Sequence, residues 1–169
     1  LEISRIEAAR LKFTFRKTNL QETVKETVKF MEGFAKEKNI KLVVTTGKLP
    51  NIEVDPDRIS QVLRNLIHNA IKFSPLDSSI EINTELKKSH IQFSVKDQGI
   101  GLKSEDQIRV FEPFYQVEGT LSQKLGGTGL GLTICRGIIE AQKGKIWVES
   151  KPGYGSTFYF TVPFTPVHE

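Results

Sequence analysis

Apolar positions along the chain recur at two periods, and the switching between them divides it into helices and strands. Residues 1–13 (LEISRIEAARLKF) place Leu1 or Ile3, Ile6, Ala9 or Arg10, and Phe13 at helical spacing. With no capping residue ahead of it, this stretch reads as the end of a longer helix. A second amphipathic pattern runs from about Leu20 to Lys38, with Val24, Val28, Met31, Phe34 and Ala35 on one side. Residues 40–45 (IKLVVT) read as a strand and 47–51 (GKLPN) as a turn. Asp55-Pro56-Asp57 supplies the cap and first turn of a helix predicted through about Phe73, which Ser74-Pro75 ends.

Residues 79–87 and 90–96 alternate as a hairpin with Lys87, Lys88 and Ser89 at its tip. From Asp97 to about Gly131 the pattern is irregular and glycine-rich, interrupted by a short helical stretch near 104–109. A helix is predicted from about Thr128 to Gln142, with Gly144 as its left-handed terminal residue. Strands near 145–150 and 156–162 flank the turn KPGYG. Strands in hairpins with three or four helices predict an α+β fold, with helices packed on one face of a largely antiparallel sheet. The order of elements does not suit a doubly wound parallel sheet.

The helix RISQVLRNLIHNAIKF (58–73) carries the first chemical signal. At about 100° per residue, Asn65, Asn69 and Lys72 fall within roughly 60° of one another. Ile59, Val62, Leu63, Leu66 and Ala70 fill the adjacent arc and should face the core. A carboxamide oxygen can ligate Mg²⁺ without adding charge, and a lysine can neutralise phosphate; a solvated polar stripe is the plain alternative. Next, a strand delivers Asp97 to its end in SVKDQGIGL, where Gly99 and Gly101 let the chain turn tightly against a flat ligand. A partly buried carboxylate there can accept from an exocyclic amine; an ordinary Asp-Gly turn is the alternative. Finally, LGGTGLGLTIC places Gly126, Gly127, Gly129 and Gly131 where a helix begins, a natural phosphate cradle if it is not simply a hinge.

Composition agrees with this picture and excludes several others. The 169 residues suffice for one domain. Twenty-four Lys and Arg against 20 Asp and Glu give +4, mildly basic and suited to an anionic ligand such as a nucleotide. No dense basic block with interleaved aromatics supports nucleic-acid binding. The single Cys135 permits no intrachain disulfide and suits a reducing cytoplasmic setting. No apolar run approaches a membrane span, so no direct membrane contact is expected. One cysteine and three scattered histidines make no zinc site; His68 reads as a rim or surface residue. No GxSxG elbow, Walker loop, dinucleotide fingerprint or protein-kinase HRD and DFG motifs occur.

The motifs are weak singly, but their order carries information. NLIHNAIK (65–72), DQGIG (97–101), FEPFYQ (111–116), GGTGLG (126–131) and GYGSTF (153–158) resemble the N box, first glycine box, F box, second glycine box and final glycine box of sensor histidine kinases. The similarity runs from about Asp55 to Pro163. The segment 1–16 resembles the end of the second dimerisation helix and linker that precede this domain, leaving 17–169 as the catalytic domain.

This resemblance, to the catalytic domains of the GHKL superfamily, implies a two-layer α/β sandwich with a mostly antiparallel mixed sheet. It implies ATP and Mg²⁺ as cofactors, ADP as product, and a response regulator and the dimerisation domain of the same kinase as partners. Asn69 matches the Mg²⁺-ligating asparagine, with Asn65 one turn earlier; Lys72 matches the phosphate-contacting lysine and Phe73 lies near the adenine. Asp97 matches the aspartate that reads adenine N6, with Gly99, Ile100 and Gly101 closing around the base. Gly127, Thr128, Gly129, Leu130 and Gly131 match the segment beneath the phosphates. Ser156 takes the small-hydroxyl position of the last box, with Thr157 the neighbouring candidate.

Residues from about Phe111 to Gly126 correspond to the ATP lid, anchored by Phe111 and Phe114, with Lys124 as a γ-phosphate partner. Gln116 stands where many relatives carry Arg, and Gln142-Lys143-Gly144 where they carry His-Gly-Gly. No histidine here has the setting of a phosphoacceptor, so the implied function is Mg-ATP binding and phosphoryl transfer to a histidine elsewhere. The alternatives are a GHKL-type ATPase, which needs a Glu where Asn65 stands, and a degenerate module that only docks nucleotide or partners.

Overall fold

The structure is a computed structural model that describes residues 11–117, 129 and 131–164. Among these described residues the elements follow in order: β1 (Arg16–Asn19), α1 (Leu20–Lys36), β2 (Lys41–Thr45), β3 (Asn51–Val54), α2 (Pro56–Phe73), β4 (Ser79–Leu86), β5 (His90–Lys96), α3 (Ser104–Arg109), α4 (Gly131–Ala141), β6 (Ile146–Ser150) and β7 (Ser156–Pro163). Five strands form one sheet in the order β2-β4-β5-β7-β6. Among the described strands only the β2–β4 pair of this sheet is parallel, its crossover containing α2, and the other pairs are antiparallel.

One face of the sheet is apolar because residues two apart point the same way. Ile80 and Ile82, Ile91, Phe93 and Val95, and Phe158, Phe160 and Val162 are buried beneath the helices. Phe93 and Phe160 are register partners whose rings stack at 4.5 Å, a cross-strand pair that pins β5 to β7. Against this face lie α2, packed on β4 and β5, and α4, packed on β6 and β7. The α1 helix packs on α2 through Leu20, Val24, Val28, Met31 and Ala35. The opposite sheet face carries the stacked Trp147 and Tyr159 rings at 5.2 Å.

The helix ends are fixed by side chains. Asn19 Oδ1 accepts the N–H of Gln21 at 3.0 Å to cap α1. Asp55 Oδ1 accepts the N–H groups of Asp57 and Arg58 at 3.0 and 3.2 Å, while its Oδ2 accepts Thr14 N–H at 2.8 Å. Pro56 fits the first turn of α2, where its missing N–H costs nothing. At the other end Lys38 Nζ donates to the carbonyls of Ile71 at 2.8 Å and Ser74 at 2.6 Å, a cation on the negative end of α2.

Three expectations need correction. The α1 pattern was expected to reach Lys38, but the helix ends at Lys36. Asn39, left-handed at φ 53°, lets the N–H of Ile40 return to Ala35 O at 3.0 Å. After α4 the left-handed residue is Lys143 at φ 64°, not Gly144; Gly144 is required because a Cβ there would stand 2.0 Å from Thr161 O. Leu11–Phe13, expected to be helical, carry no regular structure, and residues 1–10 of that helix lie outside the described residues. Instead Phe13 stacks on Phe15 at 5.9 Å and Arg58 donates to Lys12 O. The β1–β3 ribbon was not foreseen.

Candidate functional site

A cavity of about 330 Å³ opens between α2, the β5–α3 segment, the start of α4 and β7. Asn65, His68, Asn69, Lys72 and Phe73 line it from α2, so the helical period brings the carboxamide and amine stripe to one wall. Asp97, Ile100, Gly101 and Leu102 line it from the segment after β5, with Val110, Tyr115, Gln116 and Val117 beyond α3. Gly129, Gly131, Leu132, Ser156 and Phe158 complete it.

Asp97 is the best-defined group. It is 6% exposed, and its Oδ1 accepts the N–H of Gly99 at 2.8 Å and of Ser156 at 3.1 Å. Burial pushes its carboxyl above the ordinary 3.8, opposed by those two backbone hydrogen bonds. Both bonds fall on Oδ1, which leaves Oδ2 without a backbone donor among those contacts. The tight fit depends on glycine: a Cβ on Gly99 would stand 2.6 Å from Phe73 O, and one on Gly155 (φ +82°) 2.2 Å from Asp97 O.

On α2, Asn65 Nδ2 donates to Cys135 Sγ at 3.5 Å, tying the stripe to α4. Burial pushes the Cys135 thiol up to about 12, so it stays a thiol at neutral pH, accepting from Asn65 and donating to Val62 O at 3.9 Å. Lys72 Nζ lies 5.4 Å from the Phe73 ring centroid. Among the described residues no group of three His, Cys, Asp or Glu could cage a metal.

The expected site residues divide clearly by place. Asn65, Asn69, Lys72, Phe73, Asp97, Ile100, Gly101, Gly129, Gly131 and Ser156 share the cavity wall; Gly99 lies behind it, holding Asp97. Phe111, Phe114 and Thr157 do not line it. Phe111 is buried, edge-on to Phe158 at 6.1 Å, and its carbonyl accepts Thr133 Oγ1 at 2.9 Å. Phe114 is half exposed at φ 62°, with its N–H on Gly129 O at 2.9 Å. A Cβ on Gly129 (φ +75°) would meet Phe114 Cα at 2.7 Å, so this glycine serves a close backbone approach whether or not a phosphate comes near. Thr157 pairs with Lys96 and Glu149 on the sheet face away from the helices. Lys124, Gly127, Thr128 and Leu130 lie outside the described residues.

The sequence reading gave no role to Leu102, Val110, Tyr115, Val117 or Leu132, all of which line the cavity. The Tyr115 hydroxyl donates to the buried Asp106, and Arg109 sits 4.5 Å over its ring. Only the adjacency of Tyr115 to Gln116 within FEPFYQ hinted at this. The cavity thus combines an apolar slot with a buried carboxylate and a carboxamide–amine stripe. Such a lining suits a flat heterocycle bearing an amine and an anionic group.

Residues 54–166 match the family described as Histidine kinase-, DNA gyrase B-, and HSP90-like ATPase. The Non-motile and phage-resistance protein of Caulobacter vibrioides is 36% identical over 167 residues, 96% of this chain and 20% of that protein. The Sensor histidine kinase WalK of Bacillus subtilis is 44% identical over 122 residues, 70% of this chain and 20% of that protein. The chain therefore spans a fifth of the length of these relatives. Among solved structures, the catalytic domain of histidine kinase ThkA superposes with a TM-score of 0.76 at 33% identity, covering 92% of this chain and 99% of that one. ThkA in complex with response regulator protein TrrA gives a TM-score of 0.78 at 31% identity, covering 99% of this chain and 47% of that one.

Proposed function

The chain belongs to the Histidine kinase-, DNA gyrase B-, and HSP90-like ATPase family, as a histidine kinase catalytic domain, and from that premise we propose that it binds Mg-ATP and transfers the γ-phosphoryl group to a histidine on a separate dimerisation domain, for relay to a response regulator. The observation that carries the reading is one cavity holding Asp97 beside Ser156 and, on α2, Asn65, Asn69 and Lys72. Asp97 would accept from the adenine amine through Oδ2, while Ile100, Leu102 and Phe158 cover the base. Lys72 and the N-terminus of α4 at Gly131 would meet the phosphates, the latter with the positive end of its dipole. Gly127, Thr128, Leu130 and Lys124 would complete that side, and Gln116 stands where an Arg contact is replaced.

The donor set fits Mg²⁺ of the kind that arrives on nucleotide phosphates. Neutral carboxamides offer one or two oxygen ligands rather than a full cage, and Mg²⁺ keeps most of its shell from phosphate and water. Asn69 would ligate it, with Asn65 one turn away. When bound, Mg²⁺ neutralises phosphate charge during transfer.

Transfer is favoured over hydrolysis by residue 65. An asparagine there cannot take a proton from water, and His68 stands exposed at the rim, edge-on to Phe34 at 6.3 Å. We read residues 1–16 as the end of the dimerisation helix and the linker after it, and 17–169 as the catalytic domain, working in the cytoplasm. Among the described residues no helix is long and apolar enough to cross a membrane.

The test is a calorimetric titration with Mg-ATP and Mg-GTP, then labelled-ATP transfer with and without a supplied dimerisation domain. Selective Mg-ATP binding, weakened by Asn69→Ala mainly in its Mg²⁺-dependent part, and label only on the added domain would support the proposal. Absence of Mg-ATP binding, or phosphohistidine on this chain alone, would overturn it.

A further inference from the structure

Ser150, at the end of β6, does not itself line the cavity, yet its hydroxyl makes three contacts that decide what Ser156 offers to a ligand. Ser150 Oγ lies 2.8 Å from the carbonyl of Gly155, 2.7 Å from the N–H of Leu102, and 2.8 Å from Ser156 Oγ. A hydroxyl has one proton and two lone pairs. The carbonyl can only accept, so the Ser150 proton goes to Gly155 O. The Leu102 N–H can only donate, so it takes one lone pair. The remaining lone pair faces Ser156, whose hydroxyl must therefore donate to Ser150.

This accounting spends the only proton of Ser156 away from the cavity. Toward the ligand Ser156 presents lone pairs, and Asp97 beside it presents a carboxylate oxygen. That carboxylate is oriented by the Ser156 N–H on its other oxygen. Gln107 holds the same arrangement from behind, its Nε2 donating to Ser150 O at 2.8 Å and Leu102 O at 3.2 Å.

We infer that Ser150 is a specificity-determining positioning residue: by consuming the Ser156 proton it makes this corner of the cavity accept hydrogen bonds only. Such a corner takes a purine with an amine at the 6-position and opposes one with a carbonyl there, whose lone pairs would face two acceptors. The inference rests on the reading of the cavity as a nucleotide site and adds the residue that sets its polarity.

Ser150→Ala frees the Ser156 hydroxyl to turn and donate into the cavity. The experiment measures Kd for Mg-ATP and for Mg-ITP, which carries O6 and N1–H where ATP carries the 6-amine and an N1 lone pair, for the parent, Ser150→Ala, Ser150→Thr, Ser156→Ala and the double alanine variant. The expected ratio of ITP to ATP Kd falls about tenfold in Ser150→Ala and is restored in Ser150→Thr, which keeps a hydroxyl. In the Ser156→Ala background, adding Ser150→Ala is expected to leave the ratio unchanged, since no hydroxyl remains to turn. A Ser150→Ala variant that binds both nucleotides more weakly by the same factor would reduce Ser150 to a loop support and overturn the inference. Should Ser150→Ala fail to fold, Ser156→Ala decides: an unaltered ratio there overturns it equally. A parent that binds ATP and ITP alike overturns the inference, whereas a parent that binds neither nucleotide removes the site reading itself.

Discussion

Asp97→Asn isolates the carboxylate proposed to read the base. Gly99 and Ser156 both donate to Oδ1, so an asparagine must place its carbonyl oxygen there and its amide nitrogen where Oδ2 stood. The outward atom changes from acceptor to donor while the fold keeps both backbone hydrogen bonds. A hydrogen bond to a charged acceptor contributes about 2 kcal/mol, and two donors left facing each other cost about 1–2 more. The sum, about 3–4 kcal/mol, corresponds to a roughly 150- to 900-fold rise in the Kd for Mg-ATP. Mg-ITP, whose carbonyl can accept from the new amide, is expected to lose far less.

Stability without nucleotide is expected to move the other way. Burial raises the Asp97 carboxyl above 3.8, so folding favours its protonated form. The stability this provides is present below 3.8 and is lost as pH rises through the raised folded value. Asparagine has no proton to lose, so the variant's Tm relative to the parent should climb across that window and remain level or higher at neutral pH. Calorimetry with both nucleotides and a pH series of thermal melts read the two effects separately. An Asp97→Asn protein that is folded and binds Mg-ATP within about threefold of the parent would refute the reasoning.

Other expectations follow from contacts elsewhere. Gly155→Ala should cost at least about 3 kcal/mol in urea unfolding, since a Cβ at φ +82° would press on Asp97 O at 2.2 Å; Gly153→Ala, at φ +83° but in open space, should cost about 1 kcal/mol. Lys38→Met removes the donor that holds the Ile71 and Ser74 carbonyls, and denaturant unfolding should show a loss of about 1 kcal/mol. Cys135, buried with its thiol raised to about 12, should resist maleimide at neutral pH and react only on unfolding, as mass spectrometry would record.

The parts of the fold and site legible in the sequence are those that repeat at a fixed period. Asn65, Asn69 and Lys72 declared themselves because 3.6 residues per turn puts them on one stripe beside the Val62–Leu66–Ala70 arc. The hairpin strands showed because Ile80 and Ile82, and Ile91, Phe93 and Val95, alternate with polar residues. The choice between Ser156 and Thr157 stayed open in sequence because both carry hydroxyls. The pleat of β7 separates them, sending Ser156 to the cavity and Thr157 to the other face.

β1 and β3 escaped notice because RKTN and NIEV are four residues each and exist as strands only through pairing with one another. The Leu11–Phe13 stretch kept a helical spacing, but Asp55, Arg58 and the Phe13–Phe15 stack hold it in irregular form. Ser150, Gln107 and Tyr115 carry no pattern at all. Their meaning lies in individual contacts 5 to 48 residues away that follow no fixed period.

The sheet order has a consequence for how this chain comes off the ribosome. β7, the last of the described strands, lies between β5 and β6 rather than at an edge. Until residues 156–163 emerge, β6 has no partner and β5 has one bare side, however well α1, α2 and the β4–β5 hairpin have already formed. Asp97 likewise lacks the Ser156 N–H that orients it. Between the emergence of β5 and that of β7 the nascent chain thus carries an open strand edge, a hazard for pairing with neighbours. Its cavity is acquired in one late step, so that ligand competence arrives with the closure of the sheet and not gradually before it.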